Sequence, residues 1–456
     1  MHRRRAAAFV LIACVLAPGA GAAQTAAATL PAVSTPDWKT IEAEALDTLQ
    51  RYVRIDTSIP PGDVTKAADL LQGILDREGI PVKRYESGQG RAILLARLKG
   101  TGLAKPLLLL HHMDVVPVDR ARWSRDPFGA EIAEGKLWGR GAFDMKGAGV
   151  AQLYAFIALK RQRVPLARDV LLMAVPDEEI GGALGATWML ERHLADFDPE
   201  YILDEGGFGT PDLFSPGKLV FGISVAEKKM LWLKLTAEGV AGHGSQPHDQ
   251  NPNDRLVRAL ARLLAEPMPP SAFPVVETFR QRAGPLAANK FNNAIQSSTI
   301  SLTSLRSGVG DPPKVNVIPS IAEATIDCRV MPGTGRDAWL KEIARRLDDP
   351  GITIEVTYEG PDPVVTTQDS AFYRALESSL RKRYPQAIVT PMIVPYGTDA
   401  NKFRPLGVKS YGFTPLVVPA AAVASMHGDA EFIPVEALSP AIQILFEAVA
   451  ETVRQR

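Results

Sequence analysis

Histidine and acidic residues follow several apolar segments of this chain, at positions where their side chains can share one site. His112 and Asp114 come at the end of an apolar segment at 107–111. Asp144 stands in a glycine-containing turn at 139–147, and Glu178 and Glu179 follow the apolar segment 170–175. In open α/β sheets, functional residues collect at the carboxyl ends of the strands. These residues therefore predict a common site at one edge of a sheet.

Two more segments add ligand-type residues. Asp204 ends an apolar run at 201–203 and has the competing Glu205 beside it, and His427 lies in a short polar segment at 426–429. With the earlier residues, they supply two imidazoles and several carboxylates, which suit zinc, manganese or cobalt and do not suit an iron–sulfur or copper–thiolate site. They exceed the three protein ligands of one catalytic zinc. They fit two divalent ions about 3.5–4 Å apart that share a carboxylate.

Each cluster alone also fits a structural interpretation. A dinucleotide fingerprint needs glycine where Asp144 stands, and a P-loop needs Gly-Lys-Ser/Thr, so the glycines do not form a phosphate loop. Asp144 could be no more than the N-cap of the following helix, and a lone His-x-Asp pair is more often structural. The prediction therefore depends on the combination. Adjacent Glu178 and Glu179 indicate that one carboxylate binds metal and the other moves protons.

The elements that must position these residues follow an alternating pattern. Short apolar segments alternate with helical periodicity in 36–228 and again in 359–456, which predicts an α/β/α domain with a largely parallel central sheet. In 229–358 the order becomes strand-helix-strand-strand-helix-strand, which is typical of an α+β ferredoxin-like unit. We therefore expect a small domain inserted into a larger one.

Composition restricts the class of protein. The 456 residues are 46% hydrophobic and 22% charged, which excludes a mainly disordered, collagen-like or coiled-coil chain. Basic and acidic residues both number 51, so there is no overall basic excess of the kind many nucleic-acid binders show. No nucleic-acid partner is predicted, and no segment after the N-terminus is apolar enough to span a membrane.

The N-terminus has the pattern of a secretory signal. Arg3, Arg4 and Arg5 precede a short apolar core at 6–16, and small residues at 20–23 suit cleavage. Residues 24–35 are small, polar and proline-containing, which is typical of a tether. We expect a secreted or periplasmic protein with a net charge of −3, because cleavage removes three arginines and no acid. Alternatively, a lipoprotein box ends at Cys14, although the apolar run continues past it.

The order and spacing of these motifs, from about residue 36 to the end, resemble a known family. This is the dinuclear-zinc metallopeptidase family that includes glutamate carboxypeptidase, aminoacylase, carnosinase and carboxypeptidase S. The resemblance implies two divalent ions per chain, with Zn²⁺ first and Mn²⁺ or Co²⁺ as alternatives. It also implies a cis peptide bond after Asp144.

The resemblance also implies a role for each site residue. Asp114 would orient His112, and Glu178 would be the general base that activates a zinc-bound water. Metal ligands would be His112, Asp144 as the bridge, Glu179, Asp204 and His427.

The resemblance also implies residues for oxyanion stabilisation and substrate binding in the inserted segment and in a later loop. His243, in Gly-His-Gly-Ser, would stabilise the oxyanion, commonly in the partner subunit of a lid-mediated homodimer. Arg329 and Asn316 would bind substrate, and Gly397 with Thr398 would form part of the substrate pocket.

The expected activity is metal-dependent hydrolysis of an amide bond that releases a free amino acid. A dipeptide, a peptide C-terminus or an N-acyl amino acid would be the substrate, and an N-acyl amino acid amidohydrolase is the alternative to a carboxypeptidase or dipeptidase. A non-catalytic binding protein on the same fold would lack the base or a ligand, and neither is missing. An aminopeptidase of the wider zinc clan would generally lack the inserted segment.

Overall fold

The computed structural model describes residues 35–454. The predicted leader at 1–23, Cys14, and the tether up to residue 34 lie outside this range. Within it, none of the helices combines the length and the hydropathy that crossing a bilayer would need.

The strands and helices of the described residues are as follows. The strands are β1 (Val82–Glu86), β2 (Ala92–Leu98), β3 (Leu107–His112), β4 (Glu131–Ala133), β5 (Lys136–Trp138), β6 (Val170–Val175), β7 (Tyr201–Thr210), β8 (Val220–Glu227), β9 (Lys229–Glu238), β10 (Gly242–His243), β11 (Thr299–Ser307), β12 (Val317–Ile318), β13 (Ile321–Val330), β14 (Ile352–Glu359), β15 (Ile388–Val394), β16 (Lys409–Val417) and β17 (Phe432–Pro434). The helices are α1 (Trp38–Val53), α2 (Thr65–Arg77), α3 (Lys146–Arg161), α4 (Ala186–His193), α5 (Pro252–Ala265), α6 (Pro274–Ala283), α7 (Lys290–Gln296), α8 (Arg336–Leu347), α9 (Ala371–Arg383), α10 (Ala400–Phe403), α11 (Ala420–Ser425) and α12 (Leu438–Val453).

An eight-stranded sheet forms the centre of the molecule, in the order β1-β2-β6-β3-β7-β16-β8-β15. Its middle strands β6, β3, β7 and β16 are parallel, whereas β1 and β2 pair antiparallel at one edge. Helices cover both faces. Leu107 and Leu109 of β3 pack into one core with α1, α3 and α12, and Leu108 and Leu110 pack into another with α4. Strands buried on both faces explain the continuous apolar segments, and the predicted α/β/α fold is confirmed.

A separate four-stranded antiparallel sheet, β11-β13-β9-β14, lies within 229–358. Its strand order is that of a split β-α-β-β-α-β unit. One face packs against α5 and α8 around Leu233, Ile326 and Trp339. The other face carries the polar and aromatic side chains that alternate with this core.

Two helices inside the same range pack elsewhere. Val276 and Phe279 of α6 and Ile295 of α7 belong to the core of the eight-stranded sheet. Asn292 of α7 donates side-chain hydrogen bonds to the carbonyls of Leu213 and Phe214, which precede β8. The segment 229–358 therefore contributes to both cores.

Candidate active site

Three ligand-type residues meet beside the carboxyl end of β3 and the middle of β7. His112 ends β3, Asp144 precedes α3, and Glu205 lies on β7. Nε2 of His112 is 3.2 Å from Oδ1 of Asp144 and 3.5 Å from Oε1 of Glu205. One donor atom from each residue lies within 4.8 Å of the other two, the geometry of a shared cation site.

A second group shares Asp144. Nε2 of His427 is 3.0 Å from Oδ2 of Asp144 and 3.3 Å from Oε2 of Glu179, which follows β6. These three residues also offer donor atoms within 4.8 Å of one another. Asp144 therefore directs one oxygen to each group, as a carboxylate that bridges two ions would. The peptide bond between Asp144 and Met145 is cis, as the resemblance implied.

The structure brings Glu205, in place of Asp204, to the first group. Oδ2 of Asp204 instead accepts a hydrogen bond from the backbone N–H of Ala400 at 2.7 Å. Neighbouring residues of a strand point to opposite faces. The pairing of β16 with β7 jumps from Asp204 to Gly207. Because of this irregularity, simple alternation along the strand does not show which of the two acidic side chains faces the site. Glu205 replaces Asp204 in our assignment.

Asp114 acts on the site through two contacts. Nδ1 of His112 is 2.9 Å from the backbone carbonyl of Asp114, and the Asp114 carboxylate is farther away, at 3.7 Å. The carboxylate accepts hydrogen bonds from the backbone N–H groups of Glu178 (3.3 Å) and Glu179 (3.2 Å). The carbonyl thus orients the imidazole, and the carboxylate holds the turn that carries both glutamates.

Glu431, which the sequence analysis missed, holds the loop of Asp144. Its fully buried carboxylate pairs with Arg140 at 2.8 Å. It also accepts hydrogen bonds from the backbone N–H groups of Gly141, Phe143 and Asp144 at 2.8–3.0 Å. β17 pairs with β5, which brings this carboxylate to the loop. The one feature of the sequence that could have pointed to Glu431 is its position four residues after His427.

Several buried carboxylates lie close together in the site and raise one another's pKa values. Burial raises the pKa of Glu178 well above its usual value, and the nearby charge of Glu205 raises it further. Burial and the charge of Asp144 likewise raise the pKa of Glu205. Hydrogen bonds to Asp144 and Glu179 raise the pKa of His427 to about 10. The site concentrates buried negative charge that protons or metal cations must compensate.

The donor set fits two divalent cations. Asp144, Glu179 and Glu205 supply hard oxygen atoms, and His112 and His427 supply imidazole nitrogens. This combination suits Zn²⁺, Mn²⁺ or Co²⁺. Cations bound there would compensate the buried negative charge of these carboxylates.

The predicted oxyanion residue His243 is a member of neither ligand group. It is exposed on β10, which pairs with β12, and its Nδ1 is 2.7 Å from Oγ of Ser245. The backbone carbonyl of Asn316 accepts a hydrogen bond from the N–H of Gly244 at 2.7 Å. His243 and Asn316 are thus on one surface of the inserted segment.

The other predicted substrate residues lie where the two sheets meet. Arg329 of β13 is directly opposite Met230 of β9, and its guanidinium pairs with Asp327 at 2.9 Å. The Cε atom of Met230 lies 3.4 Å from the point that a β-carbon on Gly397 would occupy. Thr398 donates hydrogen bonds from its N–H and its hydroxyl to Glu227 at 2.8 and 2.7 Å. Arg329 and the loop of Gly397 therefore approach one region.

The fold and the two ligand groups define a metal-binding hydrolase, and comparison with known proteins gives its family. The chain belongs to peptidase family M20/M25/M40, whose model matches residues 108–451. It is an enzyme of the metallopeptidase and amidohydrolase class, and the resemblance is confirmed.

Individual relatives sharpen the comparison. The chain is 29% identical over 380 residues to aminoacylase-1 of Mus musculus, across 82% of this chain and 88% of that protein. It is 28% identical over 380 residues to the N-fatty-acyl-amino acid synthase/hydrolase PM20D1 of Mus musculus, across 76% and 74%. Human carnosine dipeptidase 1 shares the fold, with a TM-score of 0.68 at 17% identity over 91% of this chain and 98% of that one.

Proposed function

We propose that this enzyme hydrolyses the amide bond of N-acyl amino acids and releases the free amino acid. The observation that carries the proposal is the pair of ligand groups that share Asp144, with Glu178 on the adjacent turn. The choice of acyl group is supported by the two relatives named for acyl amino acids, aminoacylase-1 and the N-fatty-acyl-amino acid synthase/hydrolase. Dipeptides are the second candidate, because carnosine dipeptidase 1 shares the fold.

In this mechanism the chain holds two cations and moves one proton. His112, Asp144 and Glu205 would hold one ion, and Asp144, Glu179 and His427 the other. Two divalent cations would polarise the scissile carbonyl and make water acidic enough to react near neutral pH.

Glu178 is the general base. Its carboxylate would accept a proton from the attacking water and return it to the leaving nitrogen. The backbone hydrogen bond from Glu178 to Asp114 holds it beside the ligands. His243 would donate a hydrogen bond to the developing oxyanion. Arg329 and Asn316 would bind the substrate, and Gly397 and Thr398 would form the wall of its pocket.

The inserted segment would act as a lid that forms a homodimer. β11 is an edge strand of the four-stranded sheet, and Leu302 and Leu305 on it are 40% and 53% exposed. An unpaired edge with exposed leucines favours pairing with another chain. His243 is exposed and belongs to neither ligand group, which is consistent with action on the partner's site. Sedimentation of the purified protein at micromolar concentration measures the oligomeric state, and a monomer would contradict this proposal.

The activity is tested by amino-acid release from a panel of substrates. The panel contains N-acetyl and N-fatty-acyl amino acids, dipeptides and longer peptides with a free C-terminus. Faster release from the N-acyl compounds than from the dipeptides supports the proposal, and the reverse order favours the second candidate. No release from any of them by protein that carries metal contradicts both.

We also propose export from the cytoplasm, because of the leader pattern at 1–23. Expression of the full chain in bacteria, followed by fractionation and N-terminal sequencing, tests this. A mature N-terminus near residue 24 in the periplasm is the expected result. Membrane attachment that Cys14→Ala abolishes would favour the lipoprotein alternative, and an uncleaved cytoplasmic chain would contradict export.

A further inference from the structure

Lys228 is the single residue between β8 of the central sheet and β9 of the four-stranded sheet. Its backbone N–H donates a hydrogen bond to the carbonyl of Val394 at 3.3 Å. Only 4% of the residue is exposed, and Nζ has no hydrogen-bond partner among residues 35–454. Lys228 is therefore a buried lysine with an unpartnered amine at the junction of the two sheets.

Its neighbours in sequence are fully paired. Glu227 accepts hydrogen bonds from Thr398 and pairs with Arg404 at 2.6 Å. Nζ of Lys229 lies 2.6 Å from Glu359 and 2.7 Å from Asp362. Burial of a charge without a partner is costly. Burial and the positive charge of Arg329 lower the pKa of Lys228 to about 7. Lys228 thus lacks the anion that each neighbouring charge has.

Lys228 lies close to the residues to which we assign substrate binding. Lys228 and Met230 line one crevice with Asn401. Met230 lies opposite Arg329 in the sheet and contacts the Gly397 loop. Lys228 therefore adjoins both structural elements to which we assign substrate binding.

We propose that Nζ of Lys228, together with Arg329, binds the α-carboxylate of the substrate amino acid. This inference rests on the proposed function, and it adds one substrate-binding residue, Lys228, to the site. An ammonium group is a compact point charge with three donors, and a carboxylate has lone pairs for both cations. The substrate would supply the missing anion. A site built for a charged group discriminates strongly against an analogue that lacks it. The enzyme should therefore require a free carboxylate.

The test compares an N-acetyl amino acid with its C-terminal carboxamide. Release of the amine is measured with the metal-loaded wild-type protein and with Lys228→Met, Lys228→Gln and Lys228→Arg. For the acid, kcat/KM should fall roughly 10- to 100-fold in the Met and Gln variants, mainly through KM, because a charged hydrogen bond is lost. For the carboxamide, kcat/KM should change less than about threefold. Lys228→Arg keeps the charge and should retain most of the preference for the acid.

Lys229→Met is the matched control, since this adjacent lysine is already paired with Glu359 and Asp362. It should not alter the ratio of acid to carboxamide. Thermal unfolding and metal content are measured on every variant, and the Gln variant makes the test independent of how the Met variant folds. An equal loss for both substrates, or none for the acid, overturns the role of Lys228 while the proposed function stands. Absence of wild-type hydrolysis of both substrates contradicts the proposed function itself.

Discussion

The carboxylate of Glu431 accepts a hydrogen bond at 3.0 Å from the backbone N–H of Asp144, a residue 287 positions earlier in the chain. The same carboxylate pairs with Arg140, so one buried group fixes the loop that presents the shared ligand. The position of Asp144 thus depends on the far end of the chain. His427 approaches Asp144 from the same C-terminal segment, at 3.0 Å.

Removal of this carboxylate should disturb stability and metal binding together. Glu431→Ala leaves the buried Arg140 without its carboxylate partner, and breaking a buried ion pair in this way costs about 3–5 kcal/mol. The melting temperature should fall, and the metal content should drop below two ions per chain. Glu451→Ala, at an exposed position on α12, is the control and should change neither. A Glu431→Ala protein with wild-type stability and full metal content would contradict this role.

Variants of Glu205 and Asp204 should differ in metal content, because our assignment makes Glu205 a ligand and Asp204 not. Glu205→Gln should lower the bound metal toward one ion per chain, because it removes a carboxylate from the group of His112. Asp204→Asn should keep close to two ions, because an amide oxygen can still accept the hydrogen bond from Ala400. Elemental analysis after gel filtration measures both. The opposite pattern would return the ligand role to Asp204.

Glu178 should be required for the reaction and dispensable for metal binding. Glu178→Gln should lower kcat by about 10²–10⁴-fold, the usual contribution of a general base. Its metal content and melting temperature should stay near wild type. Glu191→Gln, at an exposed position on α4, is the matched control and should remain active. Full activity of Glu178→Gln would show that another group takes the proton.

In the metal-free protein, the stabilisation that His427 provides should fall as pH rises above neutrality. Hydrogen bonds to Asp144 and Glu179 raise the pKa of His427 to about 10 in the folded chain, against about 6.5 unfolded. Between these two pKa values, the imidazole of His427 therefore binds a proton more fully in the folded state than in the unfolded state. The stabilisation is complete below about pH 6.5 and is lost as pH rises through about 10. The raised pKa values of Glu178 and Glu205 act in the same direction.

Added zinc should reverse this trend. Divalent ions compete with protons for the same ligands, so metal affinity rises with pH. The increase in melting temperature on addition of Zn²⁺ should be larger at pH 8 than at pH 5.5. His427→Ala should reduce this difference. A difference in melting temperature between metal-free wild-type protein and metal-free His427→Ala that does not shrink from pH 6.5 to 9 would contradict the assignment.

Mixed dimers can show whether His243 acts on the partner's site. His243→Ala and Glu178→Gln chains should each be nearly inactive alone. If His243 acts across the interface, a mixed dimer contains one site with both residues intact. Co-expression in equal amounts should then restore about a quarter of wild-type activity by random pairing. Activity no greater than the average of the two single variants would place His243 at the site of its own chain.

The sequence by itself determined the α/β fold and four of the five residues in the ligand groups. Segments that are apolar on both faces must be buried between helices, and the end of such a strand is where polar residues can meet. His112, Asp144 and Glu179 stand at or just after such ends, and His427 was found by its motif. These features are local, so they can be recognised along the chain.

Only the tertiary structure decided between Asp204 and Glu205. Adjacent residues of a strand face opposite sides, and an irregular pairing of β7 with β16 lies at this point. The role of Glu431 also needed the fold, because its partners are about 290 residues away. For Lys228, burial without a partner depends on how two sheets meet. Such long-range relationships come from packing, which local patterns do not contain.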